Sequence, residues 1–107
     1  MIVIENSEIK ETTKLKLAII VKEKEVLRVE EVIKRLKERK AVLRERLREA
    51  TIEENNQQVE QIYQQIRENK NETDREEVRR IELLKAIQRR YLRLLDLKIE
   101  KERNSNK

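Results

Sequence analysis
The chain has 107 residues, with 27 Lys or Arg against 22 Asp or Glu for a net charge of +5; 46% of it is charged and 36% hydrophobic. Gly, Pro, Cys, His, Trp and Phe are all absent. That removes Ser-His and Cys-His nucleophiles, thiolate zinc sites and disulfides, and glycine-dependent phosphate and EF-hand loops.

Without glycine the primed turns of tight β-hairpins are hard to build, whereas Glu, Lys, Arg, Leu and Gln favour helix. The expectation is an all-α protein, an elongated antiparallel helical bundle or coiled-coil hairpin of two to three helices, in one domain over 1–107. Tyr63 and Tyr91 are the only aromatic residues, so burial rests on Ile, Leu and Val stripes. A chain this short with so thin a core is expected to associate with protein partners or with itself. The periodic placement of the apolar residues argues against a disordered chain.

The first helix is expected over 7–50, with residues 1–6 as a tail and Asn6 or Ser7 as the cap, followed by Glu8 and Glu11 in the opening turn. Its seam reads Val26, Val29, Ile33, Leu36, Lys40, Leu43, Leu47, Ala50, alternating three and four residues as in a coiled coil. Extended backward it meets Lys22, Ile19 and Leu15. Lys40 is read as snorkelling to water. A lesser alternative pairs Ile2–Ile4 with Leu15–Val21 as a small β unit, since both are rich in β-branched residues.

A second helix is expected over 51–68, because Thr51 and Glu54 match a capping box and the apolar phase changes to Ile52, Val59, Ile62 and Ile66. The Asn55-Asn56 pair favours a break there over a phase slip in one continuous helix. Its glutamines, Gln57, Gln58, Gln61, Gln64 and Gln65, read as an ordinary exposed surface. A third helix, over 73–104, is expected after the polar stretch Asn69–Asp74, with Thr73 and Glu76 as a second capping box. Its core face is read as Val78, Ile81, Leu84, Ile87, Tyr91, Leu94, Leu95 and Ile99, with residues 104–107 as a frayed tail. The helix-helix interface is thus expected at Val26, Val29, Ile33, Leu36, Leu43, Leu47, Ile81, Leu84, Ile87, Tyr91, Leu94 and Leu95.

Charge is unevenly placed: −1 over residues 1–33, +5 over 34–50, −4 over 51–74 and +5 over 75–107. On a wheel of 100° per residue, Arg75, Arg79, Arg90, Arg93 and Lys101 fall within about 80°, flanked by Lys85 and Arg89. The leading expectation is a non-enzymatic accessory subunit of a larger assembly. It would contact proteins through its apolar faces and a nucleic-acid backbone through these residues with Arg39 and Arg46, provided the two basic stretches lie side by side. With two tyrosines, sequence-specific readout is not expected. The alternative is a coiled-coil adaptor or scaffold without a nucleic-acid role. A helical enzyme working through Arg, Lys and Glu electrostatics is a remote third. No catalytic, cofactor or metal residues are assigned.

The apolar run Met1–Ile4 is soon broken by Glu5, Glu8 and Lys10, unlike a signal peptide. The later run Leu17–Val21 is far below the ~20 residues that cross a bilayer. A cytoplasmic protein without a membrane partner is expected.

Overall fold
In the structure, a computed structural model that describes the backbone of residues 2–105 and the side chains of residues 10–105, the chain forms two helices. They are α1 (Ile2–Ile52) and α2 (Asn56–Ser105). The two run antiparallel as a coiled-coil hairpin, and no strand occurs among the described residues.

The turn is built without glycine. Glu54 takes a left-handed backbone with φ 55°. Its N–H donates to the Thr51 carbonyl at 3.1 Å, and the next N–H, of Asn55, reaches the Ala50 carbonyl at 3.0 Å. This is the Schellman pattern, in which the residue after the helix adopts the left-handed region and two orphan carbonyls are satisfied. Asn55 then caps α2. Its Oδ1 accepts from the Gln58 N–H at 3.2 Å while its Nδ2 donates to Gln58 Oε1 at 3.3 Å.

Three expected boundaries are corrected. Thr51 does not open a helix; it lies in the last turn of α1, with its hydroxyl donating to the Leu47 carbonyl at 2.7 Å. Thr73 does the same toward Asn69, also at 2.7 Å, so α2 runs unbroken through 69–73 and there are two helices, not three. In both cases the threonine satisfies its hydroxyl within the helix, bonding the carbonyl four residues back, and the Thr-x-x-Glu spacing carries no cap. The third correction is at the N-terminus. Backbone helix begins at Ile2, so Asn6 and Ser7 lie within α1, and no strand forms from Ile2–Ile4 or Leu15–Val21. Interior Asn, Ser and β-branched residues cost a helix only a few tenths of a kcal/mol each, and nothing there forces a stop. Residues 104 and 105 close α2; the rest of the expected C-terminal tail lies outside the described residues.

The chain divides into two compact units. The first comprises Arg28–Arg80 and carries the turn. Leu43, Ala50 and Ile62 form its buried cluster, with Leu47, Val59 and Ile66 packed against it. Toward residue 28 the α1 seam continues through buried Leu36, Ile33 and Val29, while the α2 seam becomes polar at Asn69, Thr73 and Glu76. Lys40 is half-buried in the seam.

The second unit comprises Met1–Leu27 and Ile81–Lys107. Ile19, Val26, Leu83, Ala86 and Ile87 are buried, and Leu15, Ala18, Arg90, Leu94 and Leu97 are half-buried. Here the expected core face of the last helix is corrected. Ile81, Leu84, Tyr91 and Leu95 are 44–52% exposed, as is Val78 in the other unit at 53%. The seam is rotated from that face by about a third of a turn, at 100° per residue. Continuity is the cause. An unbroken α2 carries the phase set at Val59 and Ile62 onward in steps of four and three, through Ile66, Asn69, Thr73, Glu76 and Arg80, to Leu83, Ile87, Arg90, Leu94 and Leu97.

Candidate interaction surfaces
The basic residues of the expected track divide between the two units. Arg39, Arg46, Arg75 and Arg79 belong to the unit of residues 28–80, whereas Lys85, Arg89, Arg90, Arg93 and Lys101 belong to the other. Within its own unit, the stretch 34–50 (+5) packs along the acidic stretch 51–74 (−4), as the buried Leu43, Ala50 and Ile62 cluster requires. Opposite charges along the two arms offset one another.

Two members of the expected ridge are engaged inside the hairpin. Arg90 is half-buried at a seam position and its Nη1 donates to the Ala86 carbonyl at 3.0 Å. Arg93 donates through Nε to Glu11 Oε1 at 3.1 Å, and its Nη1 lies 4.0 Å from Glu100. The hydrogen bond to Glu11, then the charge of that carboxylate, raises the Arg93 pKa further. Arg75, Arg79, Lys85, Arg89, Lys101, Arg39 and Arg46 are exposed. Among the other basic side chains, Arg35 pairs with Glu31 at 3.5 Å and Arg48 with Glu45 at 3.7 Å, both on their own helix. Exposed pairs of this kind contribute little to stability.

Tyr91, expected in the core, stands at the hairpin's edge and is 52% exposed. Its hydroxyl donates to Glu23 Oε1 at 2.9 Å. That hydrogen bond, followed by the carboxylate's charge and slight desolvation, pushes the phenol pKa above 10.0.

The more extensive surface is apolar. In the unit of residues 1–27 and 81–107, Leu17, Ile20, Val21, Leu27, Ile81, Leu84, Tyr91, Leu92, Leu95 and Ile99 are 40–65% exposed. In the unit of residues 28–80 only Val42, Ile52, Tyr63 and Val78 are comparably exposed. The sequence signalled these α2 residues as apolar but not as the outer face, because the seam's phase is set some 20 residues earlier.

Little else resembles a site. A shallow depression beside Glu60, Gln61, Tyr63, Gln64 and Arg67 lies on the surface of α2 alone. Among the described residues no three His, Cys, Asp or Glu side chains gather as a metal-holding group, and no helix is long and apolar enough to cross a membrane. Compared with known proteins, the chain matches no family model, no curated protein and no solved structure.

Proposed function
We propose that the chain is a coiled-coil adaptor or scaffold module that works by association, without catalysis, through the apolar outer surface of the unit formed by residues 1–27 and 81–107. One observation carries the reading: ten large apolar side chains stay 40–65% exposed on that unit although its seam is already filled by Ile19, Val26, Leu83, Ala86 and Ile87. Six of the ten, Ile20, Leu27, Ile81, Leu84, Tyr91 and Leu95, share one side of the unit, and contiguous apolar patches of this kind mark contact surfaces. The absence of His and Cys leaves little for acid-base or nucleophilic chemistry and favours binding.

A nucleic-acid role has less support, since Arg90 and Arg93 are held within the hairpin and the 34–50 stretch lies along an acidic arm. Affinity capture from a cell extract, with and without nuclease, tests the choice. We expect a Leu27→Ser, Leu84→Ser, Leu95→Ser variant to lose the associated protein while nuclease leaves it in place. Loss on nuclease with retention by the variant would reverse the reading in favour of a phosphate-backbone contact.

A further inference from the structure
We propose that the apolar surface is closed by a second copy of this chain, so that two hairpins form a four-helix bundle about a two-fold axis. The inference rests on the association reading above and names its partner.

The two hydrogen bonds that bridge the helices in this unit define its two sides. In a heptad frame with Ile19 and Ile87 as core positions, Tyr91 and Glu23 both occupy the e position, and their bond marks one side. Arg93 and Glu11 both occupy g, and theirs marks the other. The sides differ sharply. On the e side, with the neighbouring b positions, stand Ile20 and Leu27 from α1 and Ile81, Leu84, Tyr91 and Leu95 from α2, all 44–65% exposed. On the g side, with the neighbouring c positions, α2 presents Glu82, Arg89, Arg93, Asp96 and Glu100, and α1 presents Glu11, Lys14 and Glu25 with a single exposed apolar residue, Val21. One flank is greasy across both helices; the other is mainly charged.

Three features fit a second copy. The charges that accompany the apolar residues on the e and b positions are Lys16 and Lys98 against Glu23 and Glu102, two of each sign. A two-fold interface brings a surface against itself, and a balanced set allows each lysine to meet a glutamate of the other copy. The area is also sufficient. Six half-exposed large side chains leave on the order of 500 Å² of apolar surface, at the upper end of a single monomer patch. With the flanking polar residues this approaches the ~800 Å² per partner of a standard interface. Finally, a flat apolar side spanning two antiparallel helices is what a second antiparallel pair needs to complete a four-helix bundle.

Salt supplies a signature opposite to that of nucleic-acid binding. The chain carries +5 overall while the contact surface is balanced, so added salt screens repulsion between copies and strengthens their association. Phosphate contacts weaken with salt.

Sedimentation equilibrium on the full chain tests the proposal. We expect twice the 13.1 kDa chain mass, with dissociation in the micromolar range or tighter, tighter still on raising salt from about 0.05 to 0.5 M. Leu84→Glu and Leu95→Glu should each give a monomer of undiminished helicity, while Val42→Glu, on the other unit, should remain a dimer. The absence of native cysteine makes single-cysteine oxidation clean: Leu84→Cys or Gln88→Cys should cross-link to itself, and Glu82→Cys or Arg89→Cys should not. A monomer at about 100 µM, cross-linking on the charged flank instead, or a dimer indifferent to Leu84→Glu and Leu95→Glu overturns the proposal. The two readings fail separately. A wild-type monomer whose triple serine variant still loses captured protein rejects the second copy and keeps the adaptor; a monomer with no such loss rejects both.

Discussion

Asn69 reaches across the hairpin to Leu36: its buried Nδ2 donates to the Leu36 carbonyl at 3.0 Å, 33 residues away in sequence. Only the nitrogen end of the amide suits that carbonyl, because two oxygens would repel. Asn69 Oδ1 is thereby left buried with no partner. A buried asparagine at a seam position fixes register at a cost in stability, and the cost here is the desolvated oxygen. Replacing Asn69→Leu should raise stability by about 1–3 kcal/mol, the penalty of an unsatisfied buried polar group. Urea titration at fixed chain concentration measures it. A lower midpoint would mean that the Leu36 bond outweighs the orphaned oxygen.

The packed end of the hairpin should be the most sensitive to truncation. Leu43 is 1% exposed within the Ala50 and Ile62 cluster, so Leu43→Ala should cost about 2–5 kcal/mol. Its neighbour Val42, 51% exposed, should tolerate Val42→Ala within about 0.5 kcal/mol. Similar losses at both positions would contradict the seam.

The turn holds a correctable strain. Glu54 has a Cβ in the left-handed region at φ 55°, where glycine is favoured. Glu54→Gly should therefore stabilise the hairpin by up to about 1 kcal/mol, whereas Glu54→Ala should not. Equal thermal midpoints for the glycine and alanine variants would show that the backbone conformation is not the cause.

Tyr91 offers a spectroscopic report of the helix pairing. In a Tyr63→Phe background, absorbance of the tyrosinate should titrate above 10.0, and Glu23→Gln should bring it down. Because the folded phenol keeps its proton to higher pH than the unfolded one, its contribution to stability is complete below the unfolded pKa. It disappears as pH rises through the folded value. An unchanged titration in Glu23→Gln would break the assignment of the hydrogen bond.

Arg79, Arg90 and Arg93 replaced together by Gln should leave polyanion retention on filters little changed, since two of the three are held by Ala86 and Glu11. A loss of about tenfold at ~0.05 M salt, shrinking at higher salt, would restore the cationic ridge as a binding surface.

The α1 seam is legible because Val26 to Ala50 repeat every three and four residues with Lys40 the one polar member, and Val26, Val29, Ile33, Leu36, Leu43 and Ala50 are buried. The α2 seam is not. Asn69, Thr73, Glu76 and Arg80 hold seam positions with polar side chains, so apolar periodicity vanishes for two heptads, and beyond them Ile81, Leu84 and Leu95 form a wider apolar face out of phase with the seam. Arg90 is in the seam for the same reason. The cap at Asn55 is half-legible: the Asn55-Asn56 pair marks a break, but Thr51 with Glu54 matches a capping box four residues before the cap that forms.

The spacing of the cross-helix contacts also sets an order of assembly. Ala50 and Ile62 are only 12 residues apart, Leu36 and Asn69 are 33 apart, Glu23 and Tyr91 are 68 apart, and Glu11 and Arg93 are 82 apart. Short loops close at the least entropic cost, so folding should zip outward from the bend at Glu54, and amide protons should exchange ever faster toward the chain ends.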